Sequence, residues 1–258
     1  GISIVIKKMQ KTSDGFRYVY CENGNEQAVY VDNPGENIIP LNPNDISITV
    51  KIDSFVKQYQ LKFMHDRVFP RSLFRIESDF VSKNQNLVRL YNENEEIDYS
   101  KEIKLFTNDK AGKAGRAKWF VVKKSVIKNN PEYISYWKVV VSSANAGGQK
   151  RDNQLEIIDN HSAFGRSRVA LAAFKTKSEA ENFYKYVKSY VIRYAFLMTD
   201  EALTTLAMKV PDVGNYTDSN SVIDFSKDID AQLCNLIDLT QNEMNYLKNI
   251  VDNLRGGK

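Results

Sequence analysis

The sequence predicts a mixed α/β (α+β) fold, and three observations carry that expectation. Short runs rich in Val, Ile, Tyr and Phe, bounded by Gly, Asn and Pro, recur from the N-terminus to Phe174, as strands and turns do. Two stretches nearer the C-terminus carry apolar residues at helical spacing behind capping signals. The chain has 258 residues, 42% apolar and 26% charged, which is enough material for a core. Its apolar runs never approach the roughly 18–20 positions a membrane helix needs, so the expectation is a cytoplasmic protein without a membrane partner. Cys21 and Cys234 are too few and too far apart for a disulfide scaffold.

In chain order, Ile2–Lys7 alternates as a strand. Such a strand needs a partner, and with Gly1 rather than Met at the start it reads as part of a longer polypeptide. Phe16–Cys21 and Gln27–Val31 flank Glu22-Asn23-Gly24-Asn25, whose Asn-Gly pair suits a tight hairpin. After Pro34, Pro40 and Pro43, Asn44-Asp45 can cap an amphipathic helix from Ile46 to about Leu61. From Phe80 to Lys104 the pattern is strand and turn, with 87–91 the clearest strand. Trp119–Lys123 and Tyr136–Ser142 read as strands around a short helix at Ser125–Asn129, and Val169–Ala173 as another strand. A helix is expected over 178–198, opened by a capping box of Ser178 and Glu181, and a short one over 228–237. A terminal helix follows a second capping box, Thr240 with Glu243.

The net charge of +4 hides an asymmetry. Residues 101–200 carry 19 Lys+Arg against 9 Asp+Glu, whereas 1–100 carry 12 against 14 and 201–258 carry 5 against 9. A basic centre between acidic flanks points to an anionic partner. Its cations sit in polar segments. Lys110, Lys113, Arg116 and Lys118 share a Gly-containing loop that can approach phosphates closely. Asn145, Gln149, Lys150 and Arg151 include side chains able to pair with base edges, and Arg166 and Arg168 flank the entry to the next strand.

Other chemistry is thinly represented. Two histidines, His65 and His161, and no CxxC spacing argue against structural zinc. GxGxxG, GxxxxGK[ST] and GxSxG are all absent, so no cofactor is expected within this chain. Glu102-Ile103-Lys104 has the acid-x-lysine spacing of a metal-dependent nuclease but lacks a well-placed Pro-Asp upstream, and the Asp212 and Asp224–Lys227 pair is one residue too long. A protein-interaction scaffold is the remaining alternative.

One group of segments is similar to a known family. Pro131–Ala144 (PEYISYWKVVVSSA), then Arg168–Phe174 (RVALAAF), then Thr176–Phe183 (TKSEAENF) and Arg193 in its aromatic setting resemble the C-terminal specificity region of type IIG and related type II restriction-modification enzymes that methylate adenine. Lys209–Asp212, Ile223–Ser226, Ile229–Leu233 and Leu239–Glu243 resemble its closing stretch, and 69–74 and 88–91 match more loosely. The segment 196–210 departs from the family by lacking its Lys- and Gln-containing stretch. The resemblance implies a strand-and-loop-rich target recognition domain with C-terminal helices. Its strand-rich subregion would cover 1–104, and its basic loops, sheet and helices 105–258. The family's Asn/Asp-Pro-Pro-aromatic motif for the flipped adenine is absent. The resemblance therefore implies that a methyltransferase part, with or without a nuclease part, lies upstream with S-adenosylmethionine and Mg²⁺, and that this chain grips double-stranded DNA without catalytic residues of its own.

Overall fold

The computed structural model describes residues 16–22, 25–31, 43–112, 115–143, 155–198, 206–217 and 220–255. The chain has both helices and several sheets, a mixed α/β fold, and divides into two compact units, Gly1–Lys51 and Ile52–Lys258. In the first unit, β1 (Phe16–Glu22) pairs antiparallel with β2 (Asn25–Val31). Glu22 stands opposite Asn25, leaving two residues to close the hairpin. Those two, and the expected strand at 2–7, lie outside the described residues. The helix expected from Ile46 is α1 (Pro43–Gln58), which begins and ends three residues earlier. Proline's fixed φ suits a first helical turn, and Gln60, at φ 51°, lies in the left-handed region just beyond the other end.

The second unit takes in the last part of α1, from Ile52, and continues with β3 (Lys62–Phe63), a 3₁₀ turn (Met64–Arg67) and α2 (Phe80–Lys83). The α2 turn corrects the expectation of strand and turn at that point. Asn84 holds it locally by donating to the Phe80 carbonyl. Next come β4 (Val88–Leu90), β5 (Glu102–Asn108) and β6 (Ala117–Lys123). The helix expected at Ser125–Asn129 is a 3₁₀ turn at Lys124–Val126, and a second such turn covers Pro131–Ser135. Then follow β7 (Trp137–Ser142), β8 (Glu156–Ile158), β9 (Ser162–Phe164) and β10 (Arg168–Phe174). These strands make a four-stranded sheet, β4-β6-β5-β9, in which β9 runs parallel to β5, and a three-stranded antiparallel sheet, β10-β7-β8.

One apolar core joins the two sheets. Ile103, Leu105, Phe120 and Val122 of the larger sheet share it with Val140, Ile158 and Ala170 of the smaller. Val139, Val141, Val169 and Leu171 are buried too, so β7 and β10 are covered on both faces. That is why they read as unbroken apolar runs rather than alternating ones.

Lys138 is the exception inside this apolar strand. It is fully buried, and its Nζ donates to the carbonyls of Tyr133, Ile134, Asp159 and Ser162 at 2.7–3.1 Å. Four acceptors against three N–H groups mean that one N–H is shared. Burial pushes the Lys138 ammonium down to about 7, with Asp159 opposing. The side chain ties the 3₁₀ turn before β7 to the β8–β9 turn.

The helix expected over 178–198 is two helices, α3 (Lys177–Lys188) and α4 (Tyr190–Leu197). Ser189 is extended between them, and its hydroxyl donates to the Tyr186 carbonyl. The first amides of α4, Tyr190 and Val191, donate to the Asp230 carboxylate at 3.0 and 3.1 Å, so a distant residue caps the second helix. The capping box also differs. It is Thr176 with Glu179, whose partners are the N-cap and third helical positions, and not Ser178 with Glu181. After β11 (Pro211–Asp212), which pairs with β3, come α5 (Ile229–Leu236) and α6 (Gln241–Arg255). The box of Thr240 and Glu243 forms as expected. Packed rings of Phe174, Phe183, Tyr186, Tyr216 and Phe225 fill the space beside α3.

Candidate nucleic-acid interface

The strand registers decide where the polar segments emerge. Asn108 at the end of β5 faces Ala117 at the start of β6, so loop 109–116 leaves the four-stranded sheet at that end. Because β9 is parallel to β5, with Phe164 opposite Phe106, turn 165–167 leaves at the same end. That turn leads into β10, whose first residue, Arg168, faces Ser142, the last of β7. The connection from β7 to β8 therefore starts there as well, and Ser143 N–H donates to the Ser167 carbonyl. Loop 109–116, turn 165–167 and the end of β7 at Ser143, far apart in sequence, are brought to one end of the two sheets.

Lys110, Arg116 and Lys118 are exposed on the first of these segments. Asp109 organises it by accepting from the Arg116 amide at 2.9 Å and pairing with the Lys118 ammonium at 2.9 Å. Those two interactions hold the Asp109 carboxyl down to about 2. Gly112, at φ 82°, takes a backbone conformation that favours glycine. Lys113 lies outside the described residues, as do Asn145, Gln149, Lys150 and Arg151.

The third segment is tightly built. A Cβ on Gly165 would lie 2.0 Å from Thr107 Oγ1, so only glycine lets this turn close onto β5. Arg166 donates its amide to the Ile76 carbonyl and pairs with Glu77 at 2.7 Å. Arg168 lies with its guanidinium carbon 4.8 Å from the centre of the Phe106 ring and donates one N–H to the Ser167 carbonyl. Burial lowers the Arg168 pKa, and the nearby Glu156 carboxylate opposes it; burial likewise raises the Glu156 carboxyl against the pull of Arg168. Four buried polar atoms among the described residues lack a hydrogen-bond partner here: Thr107 Oγ1, Arg166 Nε, Ser167 Oγ and Arg168 Nε. Buried polar groups are normally satisfied, so this cluster is an unusual feature of that end of the sheets.

The carboxylates considered for metal chemistry are engaged elsewhere. Glu102 binds the Arg89 guanidinium, which also holds Glu95. Lys104 pairs with Asp159, and this attraction outweighs burial so that the Lys104 pKa is raised. Asp212 is buried and accepts from Arg67, the Gly214 amide and the Tyr216 hydroxyl. Asp224 forms a local pair with Lys227. Among the described residues no group of three or more His, Cys, Asp or Glu is placed to hold a metal ion.

Sequence reasoning missed Asp109, Glu77, Phe106, Thr107 and Glu156. Asp109 carried a signal, since it stands within the basic loop. Glu77 and Phe106 reach this end only through tertiary pairing. No family model, curated protein or solved structure matches the chain.

Proposed function

We propose that this chain binds double-stranded DNA sequence-specifically, as the target recognition domain of a bacterial restriction-modification enzyme that methylates adenine. The observation that supports this most is the shared exit of loop 109–116 and turn 165–167, both cation-bearing, at the end of the sheets where β7 also finishes. Loop 109–118 supplies Lys110, Lys113, Arg116 and Lys118 to phosphates, while Asn145, Gln149, Lys150, Arg151, Arg166 and Arg168 stand nearer the bases. Cations on a common end can follow one duplex, whereas scattered cations serve only solvation.

In this reading the catalytic parts, with S-adenosylmethionine and Mg²⁺, belong to upstream methyltransferase and nuclease domains of the same cytoplasmic polypeptide. The helix start after β10 is closed by its own Thr176–Glu179 box, which puts a carboxylate where a nucleotide cradle would present free amides. The test is duplex affinity against salt concentration. Alanine at Lys110, Lys113, Arg116 and Lys118 together is expected to flatten the log–log slope by roughly 3 to 4, at about 0.9 per phosphate contact. A wild-type slope near zero contradicts the reading.

A further inference from the structure

The β1–β2 hairpin of the first unit carries an exposed face whose composition does not match a sheet face built for water. Arg17 stands opposite Tyr30, Val19 opposite Ala28 and Cys21 opposite Glu26, so these six side chains share one face. All six residues are exposed, Tyr30 at 54% and Val19 at 43%. The intervening positions of the sequence hold Phe16, Tyr18, Tyr20, Val29 and Val31, so the hairpin lacks the apolar and polar alternation of a sheet with one wet face. A two-stranded sheet is also marginal by itself and gains stability from a further layer.

The two charged residues of the face stand at opposite corners. Arg17 lies at the open end on β1 and Glu26 beside the turn on β2, with Val19 and Ala28 in the row between them. Such a patch is complementary to itself. A second copy turned over about a two-fold axis running across the strands sets Val19 and Ala28 against their own counterparts and lays the Arg17 row over the partner's Cys21 and Glu26 row. Arg17 then lies within one strand spacing, about 4.8 Å, of the partner's Glu26, inside an arginine's reach. The two copies of Cys21 stand at opposite ends of the contact, about 14 Å apart along the strands. We propose that this hairpin face is the interface of a two-fold homodimer of the chain, closed over Val19, Ala28 and Tyr30 and oriented by two Arg17–Glu26 pairs. Six residues a side make a smaller patch than the roughly 20–30 of a standard interface, so the dimer is a weak one. It goes beyond duplex binding and does not depend on it.

Sedimentation equilibrium of the 258-residue chain at rising concentration reads the association, beside Arg17→Glu, Glu26→Arg and the two together. Each single reversal sets like charges against one another and should weaken association by roughly 5- to 30-fold. The double variant restores the pairs with their signs exchanged and should return to within about threefold of wild type. Cross-linking reads the placement. With Cys21 and Cys234 replaced by Ser, Val19→Cys should join into dimers through a short bifunctional thiol reagent, whereas a chain keeping Cys21 as its single thiol should not. A wild-type chain that stays monomeric throughout, with no link at Val19→Cys, leaves the face to some other partner and overturns the proposal. A double variant no stronger than the single ones, or a link through Cys21 as strong as that through Val19→Cys, overturns it too.

Discussion

At the scale of single residues, two charged side chains show how context decides what a charge does. Lys138 lies in sequence within the expected strand Tyr136–Ser142, and its role in holding four carbonyls depends on turns that meet it only in three dimensions. Replacing it by Met keeps much of the volume but leaves those carbonyls unsatisfied, and is expected to cost about 3–5 kcal/mol in denaturant unfolding. A cost below about 1 kcal/mol would contradict the staple. Asp109 lies by contrast at the surface, where the Arg116 amide and Lys118 hold its carboxyl down to about 2. The unfolded chain takes up that proton first, at the ordinary value near 4. The carboxylate's contribution is therefore present above about pH 4 and is lost as pH falls through about 2. An NMR titration of the Asp109 carboxyl carbon should show its midpoint near 2, and a midpoint near 4 would show that the loop is not pinned in this way.

At the scale of elements, local signals were legible wherever the deciding contacts are local. The hairpin at 16–31, the strands at 119–123 and 169–173 and the terminal helix with its Thr240–Glu243 box follow from alternation, spacing and caps within a few residues. The helix expected over 178–198 failed for the opposite reason. Its apolar spacing continues across Ser189, but the break is stabilised by Asp230, some forty positions away, and no local pattern reports that. The one-turn helix at 80–83 is likewise shorter than any periodicity can reveal. The shifted capping box allows a clean comparison. Thr176→Ala should cost about 1 kcal/mol, whereas Ser178→Ala, exposed on the first turn, should stay within about 0.5 kcal/mol. Equal effects in thermal melts would show that the box is misassigned.

At the scale of the whole molecule, the candidate interface was half legible. The charge asymmetry and the polar segments were visible as composition, and so were the arginines at 166 and 168. Their convergence was not, because it depends on β9 lying parallel to β5, and three-residue strands such as 162–164 carry no pattern of their own. The acidic residues Glu77 and Glu156 reach the same end through the contact of Arg166 with 76–77 and through the β7–β8 pairing, and could not be assigned from spacing. A molecule built in this way has a loop-bearing end and an opposite end where Lys101, Lys123 and Lys124 are also exposed. Charge alone does not separate the two ends, but the common exit of loop 109–116 and turn 165–167 does. The most direct measurement is amide hydrogen exchange with and without a saturating random-sequence duplex. The prediction is protection of described residues 109–112, 115–118 and 165–168 with no change around 101 and 123–124. Protection confined to the opposite end, or none at either, would contradict the account.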